Sequence, residues 1–202
     1  YIADSSTPEN FWNIGDFIKK SHLKICHVDC MGMAEKDATK HALDQVSTEF
    51  ACWSGDDDFH TVDGLLQSSI FLEKNPKIGA VRGPGIRIYH DNLLSRPKRF
   101  LYRKYDPPVA FGDTAAERFE SYIGNGGGDI HYSLQRAKLM KASYQHVNLI
   151  KDRVLGAAVM PTMMTLATSD VTKHSHLSLF KGDHKKRYSA PSLMMRLLEE
   201  SL

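Results

Sequence analysis

Over its first ninety residues the chain alternates helical and extended hydrophobic patterns, and this alternation narrows the fold more than any other feature. Ser5-Ser6-Thr7-Pro8-Glu9-Asn10 favours a turn and a helix start, and residues 11–20 carry Phe11, Trp12, Ile14, Phe17 and Ile18 at helical spacing. A short strand is expected at 23–28. Residues 35–46 place Ala38, Ala42, Leu43 and Val46 on one helical stripe, and residues 50–54 are extended. A third helix is expected at 61–75, with Val62, Leu65, Leu66, Ile70, Phe71 and Leu72 inward and Asn75-Pro76 closing it. Strands at 78–81 and 86–89 flank the turn Arg82-Gly83-Pro84-Gly85. Such alternation argues for an α/β fold whose strands run largely parallel, and in open sheets of that kind ligands sit beyond the carboxyl ends of the strands.

The second half is less regular. Residues 92–110 are basic, proline-containing and weakly periodic, which reads as a long loop. Helices are expected at 114–123, 136–144 and 154–166 and a strand at 130–134, with Gly124-Asn125-Gly126-Gly127-Gly128 as a flexible hinge. Met160, Met163 and Met164 read as adaptable core, and 193–202 as a short amphipathic helix.

At 202 residues the chain suffices for one core and is read as a single domain, 1–202, with a first half at 1–90 and a second at 91–202. A formal net charge of +2 is too balanced to point to nucleic acid. Basic residues nevertheless cluster at 96–104 and 181–187, and each run offers charge to phosphates or is, more commonly, a plain solvated surface. Cys26, Cys30 and Cys52 are odd in number and show no paired metal-ligand spacing, so they read as reduced and mostly buried. No apolar run approaches a membrane span and no secretory signal opens the chain, which makes a reducing, cytoplasmic location the default expectation.

The chemistry-bearing segment is Ser54-Gly55-Asp56-Asp57-Asp58-Phe59, directly behind the apolar Phe50-Ala51-Cys52-Trp53. Three adjacent negative charges at a strand end need a cation or generous solvation. On an extended segment Asp56 and Asp58 point the same way and Asp57 elsewhere, a cradle for one divalent ion. Hard oxygen ligands suit Mg2+ or Mn2+, and Mg2+ usually completes its shell with water and substrate phosphates. A solvated acidic turn is the plainer alternative.

The order of these signals resembles the family 2-like glycosyltransferases of GT-A fold, in a bacterial subgroup. The resemblance rests on Ile2-Ala3-Asp4-Ser5-Ser6, on Lys36 opening a helix that continues as Ala42-Leu43-Asp44-Gln45-Val46, and on Thr48-Glu49-Phe50 leading into Gly55-Asp56-Asp57-Asp58-Phe59. It continues through Phe71-Leu72-Glu73-Lys74-Asn75-Pro76 and Ala80-Val81-Arg82-Gly83, and more weakly through 111–118 and 132–136. It implies a Rossmann-like GT-A architecture, a mixed and mostly parallel sheet flanked by helices. It also implies transfer of a sugar from a nucleotide-diphosphate donor, a UDP-sugar favoured, to a carbohydrate or other hydroxyl acceptor, with inversion. Asp4 matches the residue that contacts the donor nucleoside, Asp56 and Asp58 the Asp-x-Asp pair on the metal, Asp57 a ribose or sugar contact, and Lys36 a weaker nucleotide contact. The family's first strand should precede Asp4, where only three residues stand, so a fragment of a longer chain is the favoured reading.

An inverting reaction needs a base for the acceptor hydroxyl. The family's acidic position falls near Asp152, ahead of Arg153-Val154-Leu155-Gly156, with Asp129 and Asp113 as rivals. Late basic residues, His174, His176 and His184 with Lys185, Lys186 and Arg187, offer charge for a leaving diphosphate or are a plain surface cluster. Two further readings stand: a non-catalytic nucleotide-sugar-binding or scaffold domain, and a nucleotidyltransferase. An unpaired sheet edge or the Met-rich helix offers a surface for a dimer.

Overall fold

Two threonines set the boundaries of the clearest helices. In the computed structural model, which describes residues 1–6, 15–90, 100–152 and 154–184, Thr61 caps helix α3 (Val62–Lys74) by accepting the Gly64 amide at 3.0 Å. Thr114 forms a full capping box with Glu117 at the start of α4 (Ala115–Gly124). The other ordered helices are α1 (Gly15–Lys20), α2 (Glu35–Gln45), α5 (Ala137–Tyr144) and α6 (Met160–Thr168). A π-helical turn, Leu155–Val159, runs directly into α6, and the Ala157 carbonyl four residues before Pro161 accepts the Tyr144 hydroxyl at 2.9 Å in place of the amide that proline lacks.

The strands form mixed sheets with helices packed around them, so the fold is α/β. Strands β1 (Ile2–Asp4) and β2 (His27–Asp29) pair in parallel as a sheet of their own. A second sheet has the order β3-β8-β5-β9, from Phe50–Ala51, Leu134–Arg136, Ile78–Arg82 and Asp170–Lys173. A third has the order β4-β10-β6-β7, from Asp58–His60, Leu179–His184, Gly85–His90 and Phe100–Tyr105. Antiparallel pairings (β3 with β8, β5 with β8, β4 with β10, β6 with β7) are as prominent as the parallel ones (β1 with β2, β5 with β9, β6 with β10). The sheets are therefore less parallel than the early alternation suggests, because β8 and β7 come from the irregular second half.

Leu72, Val81 and Leu134 form a core between α3 and the second sheet, and Ala80, Ala110, Tyr122, Ile130, Leu166 and Val171 form another with α4 and α6. Burial of this apolar area is the main favourable term. Two arginines lock helix ends to these layers. Arg118 donates to the Leu166, Gly112 and Ala167 carbonyls at 2.6, 2.7 and 2.8 Å, capping the end of α6. Arg136 donates to the Ile78, Leu72 and Asn75 carbonyls, closing α3. Both satisfy last-turn carbonyls with positive charge, where the helix dipole favours it.

Several expectations change. The loop expected at 92–110 contains β7, and β9 and β10 arise where no strands were read. Residues 130–134 hold a 3-10 turn, Ile130–Tyr132, before β8 begins. The glycine run is a fastened turn: Gly126, Gly127 and Gly128 have positive φ, and Tyr122 accepts the Gly127 and Gly128 amides through its carbonyl and hydroxyl. Residues 7–14, 91–99 and 185–202, including the expected helix start, part of the basic cluster and the tail helix, lie outside the described residues, as does Arg153. Among the described residues no helix is long and apolar enough to cross a membrane.

Candidate functional site

Strand β1 and strand β3 each have a partner on one side only among the described residues, and a cavity of about 820 Å³ separates them. Tyr1, Ile2, Ala3 and Ser5 line one wall and the run from Phe50 to Asp57 the other, with Ala38, Ala42 and Leu43 of α2 and Met140 of α5 between. The volume is within the range of small-molecule sites. Its acidic end is Asp56 and Asp57.

A turn, rather than an extended strand, places the three carboxylates. Strand β3 stops at Ala51, the Asp58 amide returns to the Gly55 carbonyl, and β4 begins at Asp58. The expectation that Asp56 and Asp58 project together from one extended segment is therefore corrected: the run turns, so that Asp56 faces solvent while Asp58 goes inward to the Gly182 amide. Asp56 is exposed, Asp57 half-buried and Asp58 buried. Asp58 Oδ1 accepts the Gly182 amide at 3.0 Å; among the described residues its buried Oδ2 makes no hydrogen bond of good geometry, and the Tyr132 hydroxyl lies beside the carboxylate. A Cβ at Gly182 would come within 2.8 Å of the Asp57 carbonyl and 3.0 Å of its carboxylate, so the glycine in β10 permits the close approach of the turn.

Behind the turn lies a buried polar cluster of which sequence reading singles out Asp129 and, within a basic run, Lys181, but not their convergence. Lys181 of β10 pairs with Asp129 at 2.6 Å, and the Tyr105 hydroxyl donates to the same carboxylate oxygen at 2.7 Å. Burial acts to raise the Asp129 pKa, but His131, Lys181 and the Tyr105 hydroxyl outweigh it and hold the carboxyl well below the usual range. His131 packs edge-on against Trp53, and burial lowers its pKa to about 4. Burial, with the Asp58 carboxylate beside it, raises that of Tyr132. The guanidinium of Arg82, at the end of β5, stacks over the Tyr105 ring 4.6 Å from its centroid. The components come from β5, β7 and β10 and from the turn before β8, so no local pattern announces them.

The remaining expected site residues are dispersed. Asp4 ends β1, accepts the Ser6 amide at 3.0 Å and lies 3.3 Å from His27 Nε2. Hydrogen bonds from Ser6 hold its carboxyl below the ordinary value against the opposing effect of burial. Lys36 is buried in α2 and donates to the Val147 carbonyl at 3.0 Å, which ties α2 to the segment before the π turn. Asp152 Oδ1 accepts the Leu155 amide at 2.8 Å and so caps that turn. Asp113 is exposed beside the start of α4. His174 bonds Ser68 at 2.8 Å and His176 bonds Asp63 at 3.1 Å, holding the segment between β9 and β10 against α3.

Among the described residues no group of three or more His, Cys, Asp or Glu side chains forms a metal cluster. The acidic turn offers fewer protein ligands, a number that fits a Mg2+-type ion that takes the rest of its shell from water and phosphate oxygens. Asp58 Oδ2 agrees with such a group, since a buried carboxylate oxygen without a hydrogen bond of good geometry is costly until a cation or proton meets it.

No family model matches the chain, and no curated protein matches it. Among solved structures it is similar to residues 1–349 of Staphylococcus aureus TarS, with a TM-score of 0.48 and 14% identity, over 84% of this chain and 46% of that one. The chain thus spans about half the length of that structure.

Proposed function

We propose that the chain is a metal-dependent glycosyltransferase domain that transfers a sugar from a nucleotide-diphosphate sugar to a hydroxyl acceptor, with inversion. The observation that carries this reading is the acidic turn 55–58, whose Gly55, Asp56 and Asp57 line the end of a cavity of about 820 Å³, with the buried Asp58 carboxylate behind them. The nucleoside would occupy the cavity between β1 and β3, near Asp4. Asp56 and Asp58 would hold a divalent ion, with Asp57 beside the ribose or sugar. Bound there, Mg2+ or Mn2+ supplies the positive charge that a departing nucleoside diphosphate requires.

Asp152 is the base in this reading, accepting the acceptor proton as the hydroxyl attacks. Asp129 is unsuited to that role, because a carboxylate held strongly acidic by its neighbours has little affinity for a proton. Lys36 supports the nucleotide region by anchoring α2, whose face lines the cavity.

A non-catalytic nucleotide-sugar-binding domain is favoured by one observation: Asp152 and Asp129 both make hydrogen bonds that serve the fold. Donor hydrolysis separates the two. Slow release of UDP from a UDP-sugar in Mn2+, lost in Asp58→Ala, supports the transferase. Donor binding without release in the wild type and no change in Asp152→Asn supports the binding domain. Pyrophosphate release from a nucleoside triphosphate would instead identify a nucleotidyltransferase.

A further inference from the structure

One row of residues crosses the third sheet from its inner to its outer edge. Asp58 of β4 stands opposite Lys181 of β10, Lys181 opposite Arg87 of β6, and Arg87 opposite Arg103 of β7. Residues directly opposite one another share a face, so three cations follow one carboxylate along one side of the sheet. The row runs from buried Asp58 and Lys181, through half-buried Arg87, to exposed Arg103.

Arg82 joins this row from the neighbouring sheet. Its guanidinium and that of Arg87 lie 4.6 and 4.7 Å from the Tyr105 centroid, and Lys181 Nζ lies 5.4 Å from it. Three cations therefore converge on one ring, with Asp58 and Asp129 as the carboxylates beside them. Arg82 is 1% exposed, yet among the described residues its Nε, Nη1 and Nη2 make no hydrogen bond of good geometry, and what faces the guanidinium is the Tyr105 side chain, whose hydroxyl is already bonded to Asp129. Arg118 and Arg136 show the ordinary arrangement in this protein, each with three bonds to backbone carbonyls. A ring face attracts a cation but accepts none of these N–H groups as an oxygen would, and a buried charge without acceptors is strongly disfavoured.

We propose that Arg82, with Lys181, Arg87 and Arg103, forms a binding site for a phosphate-class oxyanion. The planar fork of Arg82 matches two oxygens of a tetrahedral anion, and the exposed Arg103 adds positive charge at the mouth of the row. The anion enters from the exposed Arg103 end and displaces the Tyr105 ring. Phosphate of this kind has two sources beside the acidic turn, the diphosphate of a donor or a phosphate carried by the acceptor. Only that assignment rests on the proposed transferase activity.

The test uses inorganic phosphate, followed by thermal melting and calorimetry, against chloride at matched ionic strength. The wild type is expected to show a saturable rise in melting temperature that chloride does not reproduce. Arg82→Met is expected to lose it and to melt no lower than wild type without phosphate, since the variant removes an unpaired buried charge. Arg103→Gln, on the surface, is expected to weaken phosphate binding roughly tenfold with unchanged melting in its absence. A phosphate response equal to that of chloride, or undiminished in Arg103→Gln and in folded Arg82→Met, overturns the proposal. Repeating the titration with saturating UDP and Mn2+ identifies the source: displacement assigns the site to the donor diphosphate, and additive binding to an acceptor phosphate. Phosphate binding without any UDP binding upholds the anion site and removes the donor reading. UDP binding without an Arg82-dependent phosphate response does the reverse.

Discussion

Lys181 Nζ lies 2.6 Å from Asp129 Oδ2, and this ion pair fastens β10 to the turn that precedes β8. It links the sheet carrying Asp58 to the sheet carrying β3, and so holds the acidic turn in place. Removal of one partner leaves the other charge with little water around it. Lys181→Met is expected to destabilise the fold by about 2 kcal/mol, below the range for a fully buried pair because Asp129 is about one-third exposed. Adding Asp129→Asn to Lys181→Met should cost less than the sum of the single changes. Urea denaturation of the double-mutant cycle measures the difference.

The Arg118 guanidinium meets three carbonyls in a fork that lysine cannot reproduce. Arg118→Met is expected to cost about 3 kcal/mol or more, and Arg118→Lys to recover less than half of it. Equal stability of the lysine variant and wild type in urea would show that charge, rather than the fork, caps α6.

Acid should weaken the fold before the carboxylates titrate. The unfolded His131 ring takes its proton near 6.5, and the folded ring, mainly because of burial, near 4. Below 6.5 the unfolded chain binds more protons, so stability is full above that value and falls as pH drops toward 4, by about 1.4 kcal/mol per unit of displacement. Burial lowers the pKa of His60 and His174 as well, with the same sign. His131→Phe keeps a ring against Trp53 and is expected to flatten the fall. Urea midpoints measured from about pH 7.5 to about 4 check it; an unchanged slope contradicts it.

Two glycines should respond oppositely to a methyl group. Gly182→Ala presses on the Asp57 backbone and is expected to cost about 1–3 kcal/mol and to weaken donor binding. Gly124→Ala, at the end of α4 with nothing within 4 Å of its added Cβ, is expected to gain about 0.5 kcal/mol. Thermal melting of the two variants tests both signs.

The bounds of α3 are legible in Thr61 before it and Asn75-Pro76 after it, whereas its inward face is only partly so: Val62 and Leu66, expected inward, are exposed. Strands β7, β9 and β10 are not legible, because their assignment depends on distant partners. Basic residues in Phe100–Tyr105 read as loop until β6 pairs with it, and Gly182 interrupts β10 for the sake of Asp57. At the site, the acidic run was visible because its chemistry is contiguous, although its backbone turns where an extended cradle was expected. Lys181 is visible within a basic run, but its convergence with Arg82 and Tyr105 is not, because three strands assemble the cluster.

The most direct test of the donor-site claim is calorimetric titration of UDP, with GDP alongside, with and without Mn2+, into the wild type and the Asp56→Asn/Asp58→Asn double variant. UDP is expected to bind only with Mn2+ present and both carboxylates in place. Binding of UDP that is indifferent to Mn2+ and to the double substitution, or no binding in any combination, would contradict that claim.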